Sequence, residues 1–245
     1  MSHPRRILAG AALGLLCTLA TAATATSPPD AAWIPMPGAR AGVDPVPFIQ
    51  QGRVTILSID QYPAAMREAL EQERAIDRRG YEAVDATHWD WDDANARPDL
   101  LAPDEARARL RFTPATFAGG ANAAAANLHA EGLLLPGPRS MPGPWGSATH
   151  VLRRNDGVPV YLQEVAYAKS GGAIMLTREL LNAKVGDSPA RFKLQRAPGG
   201  RAMSMLVWVT PRRYFALSVR DDVTSPGNAY DRDWLRRLAE SVQER

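Results

Sequence analysis

Short apolar segments alternate with turn signals through the second half of the chain, and this pattern restricts the fold more than any other feature. Segments 148–154 and 158–167 flank Asn155-Asp156-Gly157, whose residues accept the positive φ of a hairpin turn. Four further strand-like segments follow at close spacing: 173–180, 190–195, 203–209 and 214–219. The pattern predicts an antiparallel meander of about five or six strands over roughly residues 147–220.

Helical signals lie on both sides of this predicted sheet. Apolar residues within 234–242 repeat at helical spacing and form one stripe. Nearer the N-terminus, a strand over 53–59 is followed by predicted helices over 63–79 and 104–111. Residues 205–209 are apolar on both faces, so we expect a central strand that the C-terminal helix covers on one side. The expected fold class is α+β, an antiparallel sheet with the C-terminal helix and the N-terminal helices packed on it.

The first 25 residues have the three parts of a secretory signal peptide. Arg5 and Arg6 precede an uncharged apolar run that ends in small residues, with cleavage expected after Ala22 or Ala25. The alternative is an uncleaved N-terminal membrane anchor, because the run is just long enough to span a bilayer. Both alternatives predict that the remainder of the chain is exported, to the periplasm or the extracellular space. The only cysteine, Cys17, lies inside this run, so the processed chain should contain neither a disulfide nor a thiolate site.

The remaining chain divides by composition. Residues 26–52 contain six prolines and few large apolar side chains, which is typical of a stiff leader. Residues 53–245 should form a single α+β domain with its sheet region at 147–245, and no later segment is apolar enough to cross a membrane. Within that domain, 114–135 fits either an Ala-rich helix or an extended segment, and the proline-rich 136–146 should be a loop.

The stretch His88-Trp-Asp-Trp-Asp-Asp93 is the one segment that resembles a chemical site. If it were extended, His88, Asp90 and Asp92 would share one face and the two tryptophans the other. One histidine and two carboxylates suit a divalent metal, but a catalytic zinc or iron site would require further nitrogen ligands. The other two histidines of the processed chain, His129 and His150, each lie alone in a separate segment. We therefore predict no metal, and interpret the stretch as a loop held by buried tryptophans.

Searches for catalytic and cofactor motifs find nothing. The sequence lacks Gly-x-Ser-x-Gly, His-Glu-x-x-His, a phosphate-binding loop, a dinucleotide fingerprint and an EF-hand calcium loop. These absences favour a non-enzymatic protein with no cofactor.

Charge is distributed unevenly along the chain. Residues 77–105 contain nine acidic and three basic residues, whereas residues 106–220 contain five acidic and sixteen basic ones. The sheet should therefore carry a positive patch, for which Arg153, Arg154, Arg212 and Arg213 near the hairpin turns are the candidates. Its partner would be the chain's own acidic segment or an anionic component or protein of the cell envelope. Nucleic acid is not expected, because without Arg5 and Arg6 the chain has 27 basic and 26 acidic residues.

Several packing residues of the C-terminal part carry a resemblance to a known family. They are Gly186, Ala190, Leu206-Val-Trp208, Tyr214-Phe-Ala-Leu217 and Leu235-Arg-Arg-Leu-Ala-Glu-Ser-Val242. Over roughly 150–245 the chain resembles an uncharacterised exported bacterial domain that occurs in lipoproteins and on the extracytoplasmic side of anti-sigma factors. The resemblance implies a non-catalytic extracytoplasmic α+β module without active-site residues. The chain departs from this family in two ways. Its counterpart of the family's Tyr-x-Leu strand is one residue longer, and it lacks the cytoplasmic region and mid-chain membrane helix of the anti-sigma proteins. Without those regions the chain could not hold a sigma factor.

Three functions follow from these observations. The first is a non-enzymatic binding or accessory module of the cell envelope. The second is a carrier of an apolar or lipid-like ligand, resembling lipoprotein-sorting domains, and the third is an envelope hydrolase that uses His88 and its aspartates. A half-open cavity lined by Met, Trp and Tyr side chains of the sheet would favour the carrier, whereas a filled core would favour the module.

Overall fold

The computed structural model describes residues 53–89, 100–118, 124–137 and 140–245, and these residues form a mixed α+β fold. The strands are β1 Val54–Leu57, β2 Glu82–Ala83, β3 Thr116–Phe117, β4 Leu128–Leu134, β5 Ser147–Arg154, β6 Pro159–Val165, β7 Ile174–Thr177, β8 Ala183–Val185, β9 Ser188–Arg196, β10 Ala202–Val209, β11 Tyr214–Val219 and β12 Val242–Gln243. The α-helices are α1 Ala64–Arg79, α2 Pro103–Ala108 and α3 Arg232–Glu240.

Most of the strands belong to one large sheet. Its order is β2-β9-β10-β11-β6-β5-β4, and β8 pairs with β9 on the same side as β2. Two antiparallel three-stranded meanders, β4-β5-β6 and β9-β10-β11, meet where β11 pairs with β6. Among the strands described for this sheet, the short β2–β9 pairing is the one that is parallel. The α+β class and the predominantly antiparallel sheet are confirmed.

The prediction of one continuous meander is wrong at segment 173–180. After β6 the chain makes a turn that buries Tyr167, whose hydroxyl donates to the Thr210 carbonyl at 2.7 Å. Strand β7 then leaves the large sheet and pairs in parallel with β1, with Val54 opposite Ile174. The position beside β6 is taken by β11, which matches it over six residue pairs. Local periodicity carries no information on which of two apolar segments takes a sheet position.

The sheet also contains strands outside the predicted range of 147–220. Within the ambiguous segment 114–135, residues 128–134 form the edge strand β4, and β2 adds a short pairing to β9. Strand β8 lies inside the predicted range but was not predicted, and it also pairs with β9. The predicted strand 53–59 is shorter, and the predicted helix 104–111 lies at Pro103–Ala108, where the chain then turns to pair Leu110 with Trp145. Helix α1 matches its prediction and ends at Gly80, which adopts a φ of +88°.

Both faces of β10 are buried, as its sequence predicts. Leu206 and Trp208 belong to a core cluster that includes Leu235 and Leu238 of α3. Val207 and Val209 belong to a second cluster, which contains Ile174 of β7. The C-terminal helix therefore covers one side of this strand, and the segments around β7 cover the other.

Candidate anion-binding groove

The four arginines singled out from the sequence lie at opposite ends of the sheet. In the strand register, Arg153 is opposite Pro159 at one end of β6, whereas Tyr214, which follows Arg213, is opposite Val165 at the other end. The four residues therefore do not form one positive patch. Their proposed role in binding an external anion remains a prediction.

The two arginines of the first hairpin have acceptors within the chain. The Arg154 side chain is 3% exposed, donates to Asp156 at 2.6 Å and Asp221 at 2.9 Å, and stacks at 3.8 Å over the Tyr230 ring. Its neighbour Arg153 forms an ion pair with Glu131 across the β4–β5 pairing. Arg154 thus closes the β5–β6 turn and has little surface to offer a ligand.

The two arginines of the β10–β11 turn are also paired. Arg213 is buried and donates to Glu164 at 2.7 Å, while the exposed Arg212 forms an ion pair with Glu244 at 3.2 Å. His150 contacts the same fully buried Glu164 carboxylate at 2.7 Å, and the Ala115 amide donates to it at 3.1 Å. The donors occupy both oxygens of Glu164, which is how a buried charge is compensated.

This buried cluster was missed by treating His150 as isolated. The predicted Asn-Asp-Gly turn fixes the register of the first hairpin and brings His150 opposite Leu162, so Glu164 is its diagonal neighbour on the same face. That register was the signal available in the sequence. In the described part of the chain, the histidine ring bonds to Glu164 and to no serine, threonine or cysteine, and through this carboxylate it is linked to Arg213 and to the Ala115 amide.

The aromatic stretch reaches the sheet through its first tryptophan. Trp89 is 2% exposed, donates from Nε1 to Gln195 Oε1 at 3.3 Å, and lies beneath the guanidinium groups of Arg201 and Arg220. His88 packs edge-on against it, whereas Asp90, Trp91 and Asp92 lie outside the described residues. Among the residues that the structure describes, no cluster of three His, Cys, Asp or Glu side chains could hold a metal.

Strand β9 presents a second set of cations to helix α1. We define the covered cationic face as Arg191 and Lys193 together with the carboxylates that pair with them. Arg191 donates to Glu73 at 2.7 Å and Asp77 at 2.9 Å, and Lys193 donates to Glu73 at 3.1 Å. Burial alone would raise the pKa of Glu73, but Lys193 and Arg191 lower it below its ordinary value. This face is buried and its charges are compensated within the chain.

A third set of cations lines an open groove beside the α3 helix. The groove has two lobes, of about 680 and 540 Å³, which share Asn182, Phe192, Thr224 and Arg232. The first lobe runs between β8 and the start of α3, and the second lies between the end of α1 and β9. The basic residues of this cationic groove are Arg79, Lys184, Arg196, Arg232, Arg236 and Lys193, the last of which also belongs to the covered cationic face, and its acidic residues are Asp77, Asp231 and Asp233.

Three of these side chains differ from the rest in lacking an acidic partner. Across the described residues, Arg79, Lys184 and Arg232 are exposed and form no ion pair, whereas Arg196 pairs with Asp222 at 2.8 Å and Arg236 with Glu240 at 2.8 Å. Arg232 stacks at 4.2 Å over the Phe192 ring at the junction of the lobes. Among the described residues, Arg79 donates one hydrogen bond, to the Tyr81 carbonyl at 3.1 Å, and its guanidinium lies 5.5 Å from the centre of the Tyr81 ring. The groove therefore holds cations with unused hydrogen-bond donors.

Asn182 closes the sheet edge at the floor of the groove. Its side-chain carbonyl accepts from the Phe192 amide at 2.7 Å, and its side-chain amide donates to the Phe192 carbonyl at 3.0 Å. The side chain thus satisfies the backbone groups that an added strand would need. A ligand in this groove would be recognised by side chains and not by strand addition.

The sheet itself encloses little empty space. Trp208, Tyr214 and Met175 are buried, and the space beside them measures about 50 Å³, which suits a water and not a lipid. No helix within the described ranges is both long and apolar enough to span a bilayer.

Comparisons with family models, curated proteins and solved structures gave no match.

Proposed function

We propose that this protein is a non-enzymatic, exported module of the cell envelope that binds an anionic ligand in the cationic groove. The observation that carries the proposal is the convergence of Arg79, Lys184 and Arg232 on one groove without a carboxylate partner in the described residues. Cations that line the same concave surface attract anions more strongly when fewer neighbouring carboxylates compensate their charge.

The position of Arg232 suits recognition of a planar or tetrahedral oxyanion. Stacking on Phe192 uses the face of the guanidinium and fixes its orientation. The N–H groups in the guanidinium plane stay available and match two oxygens of a carboxylate or phosphate. Because the ring already restricts this side chain, ligand binding costs less conformational entropy than it would with a freely rotating arginine.

The two lobes favour a ligand with more than one anionic group. Arg79 lines the second lobe, Lys184 lines the first, and Arg232 lines both. An extended ligand that crosses Arg232 would meet all three cations. Thr224, Ser225 and Asn228 add neutral hydrogen-bonding side chains to the first lobe, as expected of a site that orients a polar ligand.

The cellular location in this proposal comes from the N-terminal sequence. The paired arginines and the apolar run that follows support export, and the resemblance of residues 150–245 to an extracytoplasmic domain agrees with it. The small space beside Trp208 and Tyr214 supports a binding module over a carrier that would enclose an apolar ligand within the sheet, and the larger apolar groove beside Trp145 is an open surface outside that core. The compensated environment of Glu164 and His150 gives no support to a hydrolase.

The experiment is a calorimetric titration of the full-length protein with two defined polyanions, inorganic polyphosphate and poly-glutamate. Binding of polyphosphate alone would assign a phosphate ligand, and binding of poly-glutamate alone a carboxylate ligand. The affinity should weaken with salt, because the Debye length shortens from about 10 Å at 0.1 M to about 3 Å at 1 M.

The decisive variant is Arg232→Glu, with Arg78→Glu as its matched control. Arg78 is exposed, precedes Arg79 in α1 and does not line the groove. We expect Arg232→Glu to weaken binding about tenfold or more, since a hydrogen bond to a charged group contributes roughly 1.5–3 kcal/mol. An acidic residue suits the first turn of a helix, so α3 should remain folded. No binding by the wild type, or equal losses in both variants, would refute the proposal.

A further inference from the structure

A second groove, apolar and distinct from the first, lies at the other end of the sheet. Its volume is about 620 Å³ and most of its lining is apolar. We define it as the Trp145 groove, which is lined by Met141, Pro142, Pro144, Trp145, Val165 and Tyr167. Met141 is 51% exposed and is one of two large apolar side chains, with Ile56, that are exposed in the described parts of the chain.

The chain enters the first strand beside this groove. The Arg53 carbonyl accepts a hydrogen bond from the Ile174 amide at 3.0 Å, and Val54 is opposite Ile174 in a parallel pair. Because parallel partners advance together, the residue before Arg53 approaches Gly172 if this pairing continues backwards by one step. Gly172 and Ser170 line the Trp145 groove. Arg53, the described residue that follows the leader, therefore lies close to the edge of the groove.

The end of the leader has a composition that matches the groove. Residues 45–50, which lie outside the described residues, read Pro-Val-Pro-Phe-Ile-Gln and carry no charge. Proline-rich segments dock into aromatic-lined grooves at low entropic cost, because their backbone is already restricted. Residue 48 is five positions before Arg53, a reach of roughly 17 Å in an extended chain.

We propose that residues 45–50 of the same chain bind in the Trp145 groove and cover its exposed apolar surface. Phe48 and Ile49 supply the apolar side chains for this contact. The leader is then an integral part of the domain surface and not only a spacer between the domain and the membrane. This inference does not depend on the cationic groove, since the two sites share no residue.

The test is disulfide formation in the full-length chain, with Cys17→Ser as the background. Val46→Cys, Phe48→Cys or Ile49→Cys is combined with Met141→Cys, and loss of free thiols is measured after mild oxidation. A disulfide needs Cα atoms about 4.4–6.8 Å apart, so its formation reports direct contact. The matched control replaces Met141→Cys with Ile56→Cys, which is also exposed and much closer to Phe48 in sequence.

The control separates docking from random encounter. A freely moving leader closes the short loop to position 56 more readily than the long loop to position 141. We expect thiol loss within single chains for at least one Met141→Cys pair and little loss for the corresponding Ile56→Cys pair. Equal or faster oxidation at position 56 would overturn the proposal. Disulfides found only between two chains would assign the groove to a second copy and would also overturn it.

Discussion

The two sets of cations along β9 and around the start of α3 differ in what compensates their charge. On the covered cationic face, Arg191 and Lys193 are buried and pair with Glu73 and Asp77 of α1. In the cationic groove, Arg232 and Lys184 are exposed and form no ion pair within the described residues. The formal charge of each side chain is the same in both regions. Within the described residues, only the second region has cations that no ion pair compensates.

This difference teaches that the net charge of a sequence segment is a poor guide to binding. Asp77 and Glu82 belong to the acidic segment 77–105, and they contact Arg191 and Lys193 of the basic sheet. Part of the charge asymmetry is therefore used inside the molecule. The three groove cations on which the proposed function rests are distinguished from the other basic residues of the groove because they form no ion pair within the described residues. Their sequence neighbours do not distinguish them.

The largest expected effect is at Trp89, whose indole bonds to Gln195, a residue of the same strand as Arg191 and Lys193. Trp89→Ala should lower the free energy of unfolding by about 4 kcal/mol, because a fully buried indole leaves a cavity. The change should leave polyanion affinity unaltered. Urea unfolding measures the first quantity and calorimetry the second. A loss of less than about 1 kcal/mol would mean that Trp89 does not anchor its loop.

Arg191→Ala should have a somewhat smaller effect on stability, about 3 kcal/mol. Removing one partner of a buried pair leaves the carboxylates of Glu73 and Asp77 with incomplete compensation. Lys193 remains near Glu73 and limits the loss. The unfolding midpoint in urea is the measurement, and Arg78→Ala on the exposed side of α1 is the control. Equal stabilities of the two variants would contradict the role of the covered cationic face.

The covered face should also add an acid-sensitive component to stability. The pKa of Glu73 is lower in the folded protein than its ordinary value of about 4.3. The stabilisation is therefore present above the unfolded pKa and is lost as the pH falls through the folded pKa. Glu73→Gln should flatten the loss of stability that sets in as the pH falls below the ordinary carboxyl pKa of about 4.3, whereas Glu68→Gln, at an exposed position of α1, should not. Stability profiles of the same shape for the wild type, Glu73→Gln and Glu68→Gln would contradict the assignment of this acid sensitivity to Glu73.

Groove variants should have the smallest effect on folding. Arg79→Ala and Lys184→Ala remove exposed side chains without an ion pair in the described structure, so each should change stability by less than about 0.5 kcal/mol. Each should nevertheless weaken polyanion binding. Thermal unfolding and calorimetry on the same samples separate the two effects. Loss of stability similar to that of Arg191→Ala would place these residues in the structural framework.

The sequence predicted the elements better than their assembly. Helix α1, the Asn-Asp-Gly hairpin and the two buried faces of β10 follow from local periodicity and turn residues. The pairing of β7 with β1 does not, because both apolar strands satisfy the same local pattern. The burial of Arg191 was equally inaccessible, since it depends on two acidic residues more than 100 positions away. The cationic groove combines residues from α1, β8, β9 and α3, so no single segment could reveal it.

The three lysines of the chain allow the central claim to be tested without any mutation. Lys184 is exposed and lines the first lobe, Lys193 reaches the second lobe but is buried and paired with Glu73, and Lys169 is exposed and lines neither lobe. The measurement is the acetylation rate of each lysine by mass spectrometry, with and without the polyanion that binds in calorimetry. We predict that the ligand slows the acetylation of Lys184 and leaves the acetylation rate of Lys169 unchanged. The acetylation of Lys193 should be slow both with and without the ligand. Protection of Lys169 while Lys184 stays reactive would contradict the claim that the groove cations without an ion pair in the described residues form the binding site.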